Sequence, residues 1–386
     1  MPHRGHVRKT FKYRLYPTKQ QHALLDEQLA EACRLYNAAL QERRDAWRMA
    51  RVSVNYYDQA NQLKEIRAAG DLGLVNYSAC QDVLRRVNKT FQAFFRRGKA
   101  GKKTGFPRFK SRSRFDSYTL PVYGDGCKLR DDGKLYIQGV GGLKVKLHRP
   151  VAGQIKTVTL KRECRCWYAC FSVEVEIPEP LPDTGEVTGI DVGLESFAVL
   201  SDGSVIQNPR HYGKAQANLR RAQRKVARRK KGSHRRRKAV RALQRVHAHV
   251  RNQRSDFHHR LSRKLVNHYD LIAVEDLNIK RLASGMLAKS VNDAGWGGFL
   301  SKLSYKAEEA GRELVKVNPT GTSQRCPCGT AVPKALGERW HQCLACGMSV
   351  SREHASALEI LRLGLSLRES TWLSGASVSR EAVCFS

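Results

Sequence analysis

Residues 187–203 read VTGIDVGLESFAVLSDG, which predicts a buried strand, a glycine turn and a second strand. A long helical stretch, 210–266, separates them from YDLIAVEDL at 269–277, which predicts another buried strand. ELVKVNP at 313–319 predicts one more strand, and SREHASALEILRLGL at 351–365 predicts a helix. Strands and helices that alternate in this way are typical of an α/β domain.

Two acids stand where these strands end. Asp191 follows the apolar run VTGI, and Glu275 follows LIAV. The exit loops of buried strands are the usual place for functional groups in open α/β sheets. Carboxylates there can bind divalent metals, and two ions about 4 Å apart can support phosphodiester cleavage. Each acid alone is explained equally well as a cap of the following turn, so only the combination favours a metal site.

The N-terminal half has a different organisation. RKTFKYRLY at 8–16 predicts a strand, and Thr18 with Gln21 predicts a capping box at the start of a helical unit, 19–104. Short strands with Gly or Asp turns follow over 115–176 and predict a small β-barrel, which the first strand joins. The proline-rich segment EIPEPLPDTGE predicts the boundary to the α/β domain.

The charge of the chain points to a polyanionic partner. The 386 residues include 70 Lys and Arg but 35 Asp and Glu, which gives a formal net charge of +35. A compact fold with this excess repels itself unless a polyanion neutralises it, and nucleic acid is the natural candidate. The sequence contains neither a secretory apolar segment nor a run of apolar residues long enough for a membrane span, so we expect a cytoplasmic protein that does not enter membranes.

The basic residues are clustered. Residues 211–260 contain eighteen Lys and Arg and one acid, Asp256. A break at Gly232-Ser233 predicts a basic helical hairpin, and the lack of compensating glutamates argues against a solvated charged pair of helices. The candidate phosphate-binding residues of the hairpin are Arg228, Arg229, Lys230, Arg235, Arg236 and Arg237.

A second basic segment, GFPRFKSRSRFDSYT at 105–119, interleaves cations with aromatic rings. This mixture suits contact with a nucleic-acid backbone together with base stacking. The candidate binding residues are Arg108, Lys110, Arg112, Arg114 and Tyr118. The alternative, in which the aromatic residues belong to the core and only the cations face solvent, remains open at this point.

Four of the eleven cysteines have the spacing of a zinc site. Cys343 and Cys346 form a standard half-site with a following glycine. The other half-site, Cys326 and Cys328, has one intervening residue instead of two, so we expect a strained knuckle with four thiolate ligands. His341 is an alternative ligand, and a metal-free loop is the alternative to a zinc site.

Several motifs together resemble the TnpB family, transposon-associated proteins ancestral to the type V CRISPR effectors. The resemblance runs from about residue 8 to 383 and is carried by FKYRLYPTKQQ, GFPRFKSRSRFDSYTLP, GIDVGL, VEDLN, and NPTGTSQRCPCG followed by CLACGMSVSREHASALEIL. It implies a guide RNA copied from the transposon end and cleavage of double-stranded target DNA beside a short adjacent motif.

The resemblance also implies a multidomain α/β fold with an RNase H-like RuvC core. The implied domains are a wedge-like β-barrel at 1–18 and 105–182, a helical recognition lobe at 19–104, the RuvC nuclease at 186–323 and 350–367, a zinc-ribbon insert at 324–349, and a loose tail at 368–386.

The resemblance makes Asp191 and Glu275 the first and second catalytic acids, but the third departs from the family pattern. The family usually has aspartate where this chain has Glu353, which would complete the set that holds Mg²⁺ or Mn²⁺. Glutamate adds one methylene, and displacement of about 1 Å can lower a catalytic rate a hundredfold. Two functions therefore stay open: an endonuclease weakened by this change, or a guided DNA-binding protein that no longer cuts. Glu353 could also be an ordinary exposed helical residue, and Glu359 is a poorer candidate for the third acid.

Overall fold

The structure, a computed structural model, describes residues 5–70, 72–335 and 337–373. The chain divides into two compact units, Met1–Ile177 and Pro178–Ser386, referred to below as the N-terminal and C-terminal units. Their boundary falls within the proline-rich segment that the sequence indicates.

The N-terminal unit contains a near-closed antiparallel sheet of seven strands in the order β2-β6-β7-β1-β5-β4-β3. Strand β1 lies between β7 and β5, which confirms that the first strand joins this sheet. The strands are β1 (His6–Tyr16), β2 (Ser117–Leu120), β3 (Cys127–Leu129), β4 (Lys134–Ile137), β5 (Gly141–Lys146), β6 (Gln154–Glu163) and β7 (Cys166–Glu176).

Three helices share the core of this sheet: α1 (Lys19–Ala50), α2 (Tyr56–Ala68) and α3 (Tyr77–Lys99). The predicted capping box is present, since Thr18 and Gln21 satisfy each other's backbone N–H groups. Leu29 of α1 and Val83 of α3 belong to the same buried cluster as Trp167 of the sheet. Helices and sheet therefore bury their apolar faces against each other in one continuous core.

The C-terminal unit is built on a five-stranded sheet in the order β10-β9-β8-β11-β12. Its strands are β8 (Val187–Val192), β9 (Ser196–Leu200), β10 (Val205–Gln207), β11 (Leu271–Glu275) and β12 (Glu313–Val317). The pairs β10-β9 and β9-β8 are antiparallel, whereas β8-β11 and β11-β12 are parallel. The α/β prediction for this part of the chain agrees with the observed sheet.

Two helical layers cover this sheet. Helices α4 (His211–Ala227) and α5 (His234–His268) are separated at the predicted break, and Ser233 caps α5 through its hydroxyl. Short helices α6 (Ile279–Leu282) and α7 (Ala288–Ala294) precede α8 (Trp296–Glu309). A small hairpin of β13 (Trp340–Gln342) and β14 (Ser349–Ser351) leads into α9 (Arg352–Leu373).

The alternation of side chains along β11 shows which helices cover each face of the five-stranded sheet. Ile272 and Val274 join the cluster that contains α5 and α8, while Leu271 and Ala273 join the cluster that contains Ile360 of α9. Helix α9 extends to Leu373. The prediction of a loose tail from residue 368 is therefore wrong for residues 368–373, which belong to this helix. The rest of the predicted tail lies outside the described residues. None of the described helices combines the length and apolarity needed to cross a membrane.

A buried histidine makes the stability of the C-terminal unit depend on pH. His258 is 3% exposed, its Nε2 lies 2.9 Å from the Ala294 carbonyl oxygen, and burial lowers its pKa from 6.5 to about 4. Because the folded pKa is below the unfolded one, this contribution is complete above pH 6.5 and is lost as the pH falls towards 4. We expect about 3 kcal/mol of unfolding free energy to disappear across this window.

Chemical unfolding of the protein between pH 7 and 4 measures this loss. His258→Gln should flatten the pH dependence, whereas the exposed His247→Gln should leave it as in the wild type. An unchanged slope in His258→Gln would show that other groups carry the pH dependence.

Candidate functional site

Asp191 and Glu275 occupy equivalent positions on adjacent parallel strands. The residues immediately before them, Ile190 and Val274, are partners in the β8-β11 register. Because side chains alternate along a strand, both acids lie on the same face as Gly189 and Ala273. This is the face that α9 covers.

The contact between β8 and α9 brings Glu353 near enough to Asp191 for its charge to act on that carboxyl group. A Cβ atom on Gly189 would lie 2.1 Å from the Ala357 carbonyl oxygen and 2.6 Å from the Leu361 backbone nitrogen, so helix and strand touch directly. Asp191 lies two strand residues beyond this contact, a rise of about 6.6 Å. Glu353 lies four helical residues before Ala357, a rise of about 6 Å. Asp191 and Glu353 therefore lie at similar distances along their strand and helix from the contact between Gly189 and Ala357.

The pKa of Asp191 reflects its burial and the proximity of the two glutamates. Burial raises the pKa of Asp191 from 3.8 to about 8, with further contributions from the charges of Glu275 and Glu353, while Arg352 opposes the shift. Burial also raises the pKa of Glu275. Like charges that are held together out of water disfavour each other's ionised form, and a divalent cation would relieve that repulsion. The three acids therefore fit the requirements of a cation site.

Each glutamate has a hydrogen-bond partner that orients it. The Thr322 hydroxyl donates to Glu275 Oε1 at 2.5 Å. Arg339 donates from Nη1 to Glu353 Oε1 at 3.2 Å. Thr322 and Arg339 were not identified as site residues in the sequence analysis. Thr322 lies within the motif NPTGTSQRCPCG, which is the only sequence signal that could have found it.

Glu359 is engaged elsewhere. Its carboxylate is buried and accepts two hydrogen bonds from Arg362, at 2.7 and 2.8 Å. This bidentate pair satisfies the carboxylate within α9. Glu359 is therefore explained as a structural residue, and Glu353 remains the candidate for the third acid.

The three acids are less tightly grouped than the four cysteines. Among the described residues, the cysteines form the group whose potential ligand atoms all lie within 4.8 Å of one another, and the three acids are not grouped in this way. Two ions about 4 Å apart, each about 2.1 Å from its oxygens, span roughly 8 Å between their outer ligands. Carboxylates around such a pair do not need to touch each other.

The four cysteines of the insert converge. The sulfur atoms of Cys326 and Cys346 lie 3.5 Å apart, and those of Cys328 and Cys343 lie 3.7 Å apart. Tetrahedral zinc with bonds of about 2.3 Å requires sulfur atoms about 3.8 Å apart. Hydrogen bonding with Thr330 lowers the pKa of Cys328 to about 6, which favours the thiolate that a metal requires. The contracted knuckle therefore places both of its sulfurs in the cluster.

His341 lies outside this cluster. Its ring is fully buried, and its Nδ1 contacts the Lys334 ammonium. Burial, followed by the Lys334 charge, lowers the pKa of His341. The geometry offers four sulfur ligands without His341.

The basic hairpin presents most of its predicted residues to solvent. Arg236 is the exception, because its Nη1 donates to the backbone oxygens of Val226 and Arg229, at 2.8 and 3.1 Å. It therefore caps the C-terminal end of α4 and joins the two helices. The exposed members of the predicted set are Arg228, Arg229, Lys230, Arg235 and Arg237.

The segment 105–119 divides between surface and core. Phe106 and Phe109 are each 46% exposed, whereas Phe115 and Tyr118 are buried. Tyr118 lies on β2 with its hydroxyl hydrogen bonded to Gln28, so its ring cannot stack on a base, and its inclusion among the binding residues was wrong. The exposed cations of this segment are Arg108, Lys110, Arg112 and Arg114.

Family models match three parts of the chain. Residues 170–285 match a family described as "Probable transposase", and residues 296–360 match "Cas12f1-like, TNB domain". Residues 1–51 match a family described as "Helix-turn-helix domain". In the described part of that last range, the structure has strand β1 followed by the single helix α1.

Similar proteins extend the match over almost the whole chain. A protein of Streptomyces pristinaespiralis named "Putative RNA-guided DNA endonuclease" is 33% identical, over 97% of this chain and 96% of that protein. "Putative RNA-guided DNA endonuclease InsQ" of Escherichia coli is 29% identical, over 92% of both chains. The "Cryo-EM structure of the Cas12f1-sgRNA-target DNA complex" contains a chain with the same fold, with a TM-score of 0.58 at 15% identity, over 92% of this chain and 98% of that one.

Proposed function

Because this chain belongs to the TnpB family, we propose that it is an RNA-guided DNA endonuclease of an insertion-sequence element. Its relatives of nearly equal length are named for this activity, and their names do not favour the alternative of a binder that no longer cuts. The observation that carries the proposal is the placement of Asp191, Glu275 and Glu353 around one end of the parallel strands.

We propose Asp191, Glu275 and Glu353 as the catalytic acids of an RNase H-like RuvC core. The mixed five-stranded sheet with helical layers on both faces supports this assignment. Mg²⁺ or Mn²⁺ bound by these carboxylates would activate water and stabilise the leaving oxygen of a phosphodiester.

The chain's own residues prepare this chemistry. The buried strands hold Asp191 and Glu275 in fixed positions, and the Thr322 hydroxyl orients the Glu275 carboxylate. Arg339 holds Glu353 through one hydrogen bond between partly exposed groups, so that Glu353 can turn towards the other acids at small energetic cost. A scissile phosphate would lie beside the acids at the strand ends.

The chain's partners follow from the same proposal. We propose a guide RNA from the transposon end and a double-stranded DNA target, both neutralising the +35 charge of the chain. Within this proposal the N-terminal unit contains the wedge and recognition elements, and the C-terminal unit contains the nuclease and its insert. The ten described cysteines are all free, which fits a reducing cytoplasm, where such a protein would act on DNA.

Cleavage of a DNA library tests the proposed function. The protein is purified with its bound RNA, the RNA is sequenced, and a matched duplex with randomised flanking bases is incubated with Mg²⁺. Cuts confined to one flanking motif, and abolished by EDTA, are expected. Absence of a defined RNA species, or cutting that is independent of the match, would contradict guided cleavage.

The length of the third acid should limit the rate. We expect Glu353→Asp to raise the rate of cleavage about tenfold, equivalent to about 1.4 kcal/mol, because the shorter side chain leaves Arg339 and matches the family geometry. The exposed Glu308→Asp on α8 is the matched control and should leave the rate unchanged. An unchanged or lower rate in Glu353→Asp would refute this account of the third ligand.

We also propose zinc as the ion of the four-cysteine cluster. Elemental analysis of the purified protein should find about one zinc per chain. Cys328→Ser should lose the metal, whereas His341→Ala should retain it because His341 is outside the cluster. The reverse outcome would make His341 the ligand and Cys328 dispensable.

A further inference from the structure

A cavity in the N-terminal unit lies beside the cations of segment 105–119. Its volume is about 290 Å³, and its lining includes Arg86, Thr90, Arg108, Lys110, Arg114 and Asp116. Ligand sites begin at about 300 Å³, so the space suits one small polar group such as a single nucleotide. The cavity therefore has the size of one residue of a nucleic-acid strand.

Three of the cations have side chains available to a ligand. Arg108, Lys110 and Arg114 are exposed, and no ion pair within 4.0 Å is found for them among the described residues. Arg86 differs, since it pairs with Asp82 and donates to the Ser117 carbonyl oxygen and the Thr119 hydroxyl. Arg86 thus fixes β2 against α3, while the other three line the cavity with exposed cationic side chains. Cationic groups in this position suit phosphate oxygens.

Asp116 is the unexpected member of this lining. Its carboxylate accepts one hydrogen bond in the described structure, from the neighbouring Ser117 hydroxyl at 3.3 Å. Its backbone oxygen is held by the Arg162 N–H at 2.7 Å, so the residue is anchored at the end of β2. A carboxylate among three cations repels a phosphate, but it is a good acceptor for a hydroxyl group. The 2′-hydroxyl of ribose is the group that distinguishes RNA from DNA, and it can donate to such an acceptor.

The aromatic residues that line the cavity are Tyr36 and Phe115, and both are buried. Phe106 and Phe109 flank Arg108 in sequence, and both are partly exposed. Exposed rings on either side of a lining arginine are of the type that stacks on bases, although these two rings are not part of the cavity lining.

We propose that this cavity binds one unpaired ribonucleotide of the RNA, a proposal that rests on the proposed function in requiring an RNA partner. Its phosphate contacts Arg108, Lys110 and Arg114, and its 2′-hydroxyl donates to the Asp116 carboxylate. The cavity thus selects RNA over a strand that lacks the hydroxyl donor.

Oligonucleotide binding to the full-length, RNA-free protein tests this selection. The probes are a fluorescent uridine 12-mer and its 2′-fluoro counterpart, which has no 2′-hydroxyl donor. Anisotropy titrations at raised salt weaken the contacts that depend on charge alone. We expect the wild type to bind the uridine 12-mer about fivefold more tightly than its 2′-fluoro counterpart. Asp116→Ala should bind the two probes equally, and its affinity for the 2′-fluoro probe should be no lower than that of the wild type.

Two further variants separate the roles. Arg114→Gln should weaken both probes to the same extent, and Asp131→Ala, an exposed acid in another turn of the same unit, should behave as the wild type. A wild type without preference, or a preference that persists in Asp116→Ala, would overturn the proposal. Weaker binding of both probes in Asp116→Ala would assign Asp116 a structural role and overturn it as well. The binding ratio does not depend on DNA cleavage, so failure of the cleavage assay and failure of this proposal are distinguishable.

Discussion

Asp191→Asn should reduce DNA cleavage by about a thousandfold or more while leaving RNA binding unchanged. The substitution removes the carboxylate at the centre of the three acids, whose pKa reports the charges of both others. Loss of metal-based stabilisation of about 4 kcal/mol corresponds to such a rate change. Single-turnover cleavage of a matched duplex and the yield of copurified RNA are the two measurements.

The melting temperature of the Asp191→Asn protein distinguishes a catalytic role of Asp191 from a structural one. Asparagine has nearly the shape of protonated aspartate, the form that a pKa of about 8 favours at neutral pH without metal, so the melting temperature of the metal-free protein should not fall. Asp256→Asn makes the same chemical substitution on the exposed surface of α5 and should cut at the wild-type rate. Loss of RNA binding in a folded Asp191→Asn protein, or cutting at the normal rate, would contradict the assignment.

Gly189→Ala should destabilise the C-terminal unit by about 3 kcal/mol or more and lower the rate of cleavage about a hundredfold. The new methyl group would overlap the backbone of α9 at Ala357 and Leu361, which cannot move aside as a side chain can. Helix α9 would have to shift, and Glu353 would move with it. Because about 1 Å of displacement can cost a hundredfold in rate, the residual folded protein should cut poorly.

Gly297→Ala is the matched control for this substitution. Gly297 lies within α8, and an added Cβ would come no closer than 3.6 Å to Ile279. Alanine is favoured over glycine within a helix by about 1 kcal/mol, so this variant should be at least as stable as the wild type. Thermal melts and cleavage rates of both variants decide the matter. A Gly189→Ala protein of wild-type stability would show that α9 does not rest on β8 as described.

Periodicity and spacing predicted the features that depend on local sequence. The break at Gly232-Ser233 follows from turn residues between two helical patterns, and Ser233 caps the second helix as expected. The sheet of the C-terminal unit follows from apolar runs that end in Asp191 and Glu275. The cysteine spacing anticipated the convergence of four sulfurs, including those of the contracted knuckle.

Tertiary contacts decided what these patterns could not. Tyr118 reads as one of several interleaved aromatics, but the alternation of β2 turns it into the core, where Gln28 binds its hydroxyl. Arg236 reads as one more cation, but its position in the first turn of α5 lets it cap α4. Neither role can be deduced from residue type, because each depends on a neighbour far along the chain or across a turn.

The candidate site shows the same division. Both strand acids were predictable, because a carboxylate after an apolar run stands at the end of a strand. The approach of Glu353 depends on the close contact of Gly189 with α9, which no local pattern in either segment specifies. Thr322 orients Glu275 from a loop 47 residues away in sequence, and the motif NPTGTSQRCPCG that contains Thr322 does not specify which acid its hydroxyl binds.

Anomalous diffraction from crystals of the RNA-bound protein soaked in Mn²⁺ tests the central claim most directly. The account predicts manganese peaks within coordination distance of the carboxylates of Asp191, Glu275 and Glu353, and their loss in Asp191→Asn crystals. Manganese bound elsewhere, or held by one of these acids without the other two, would contradict a shared metal site.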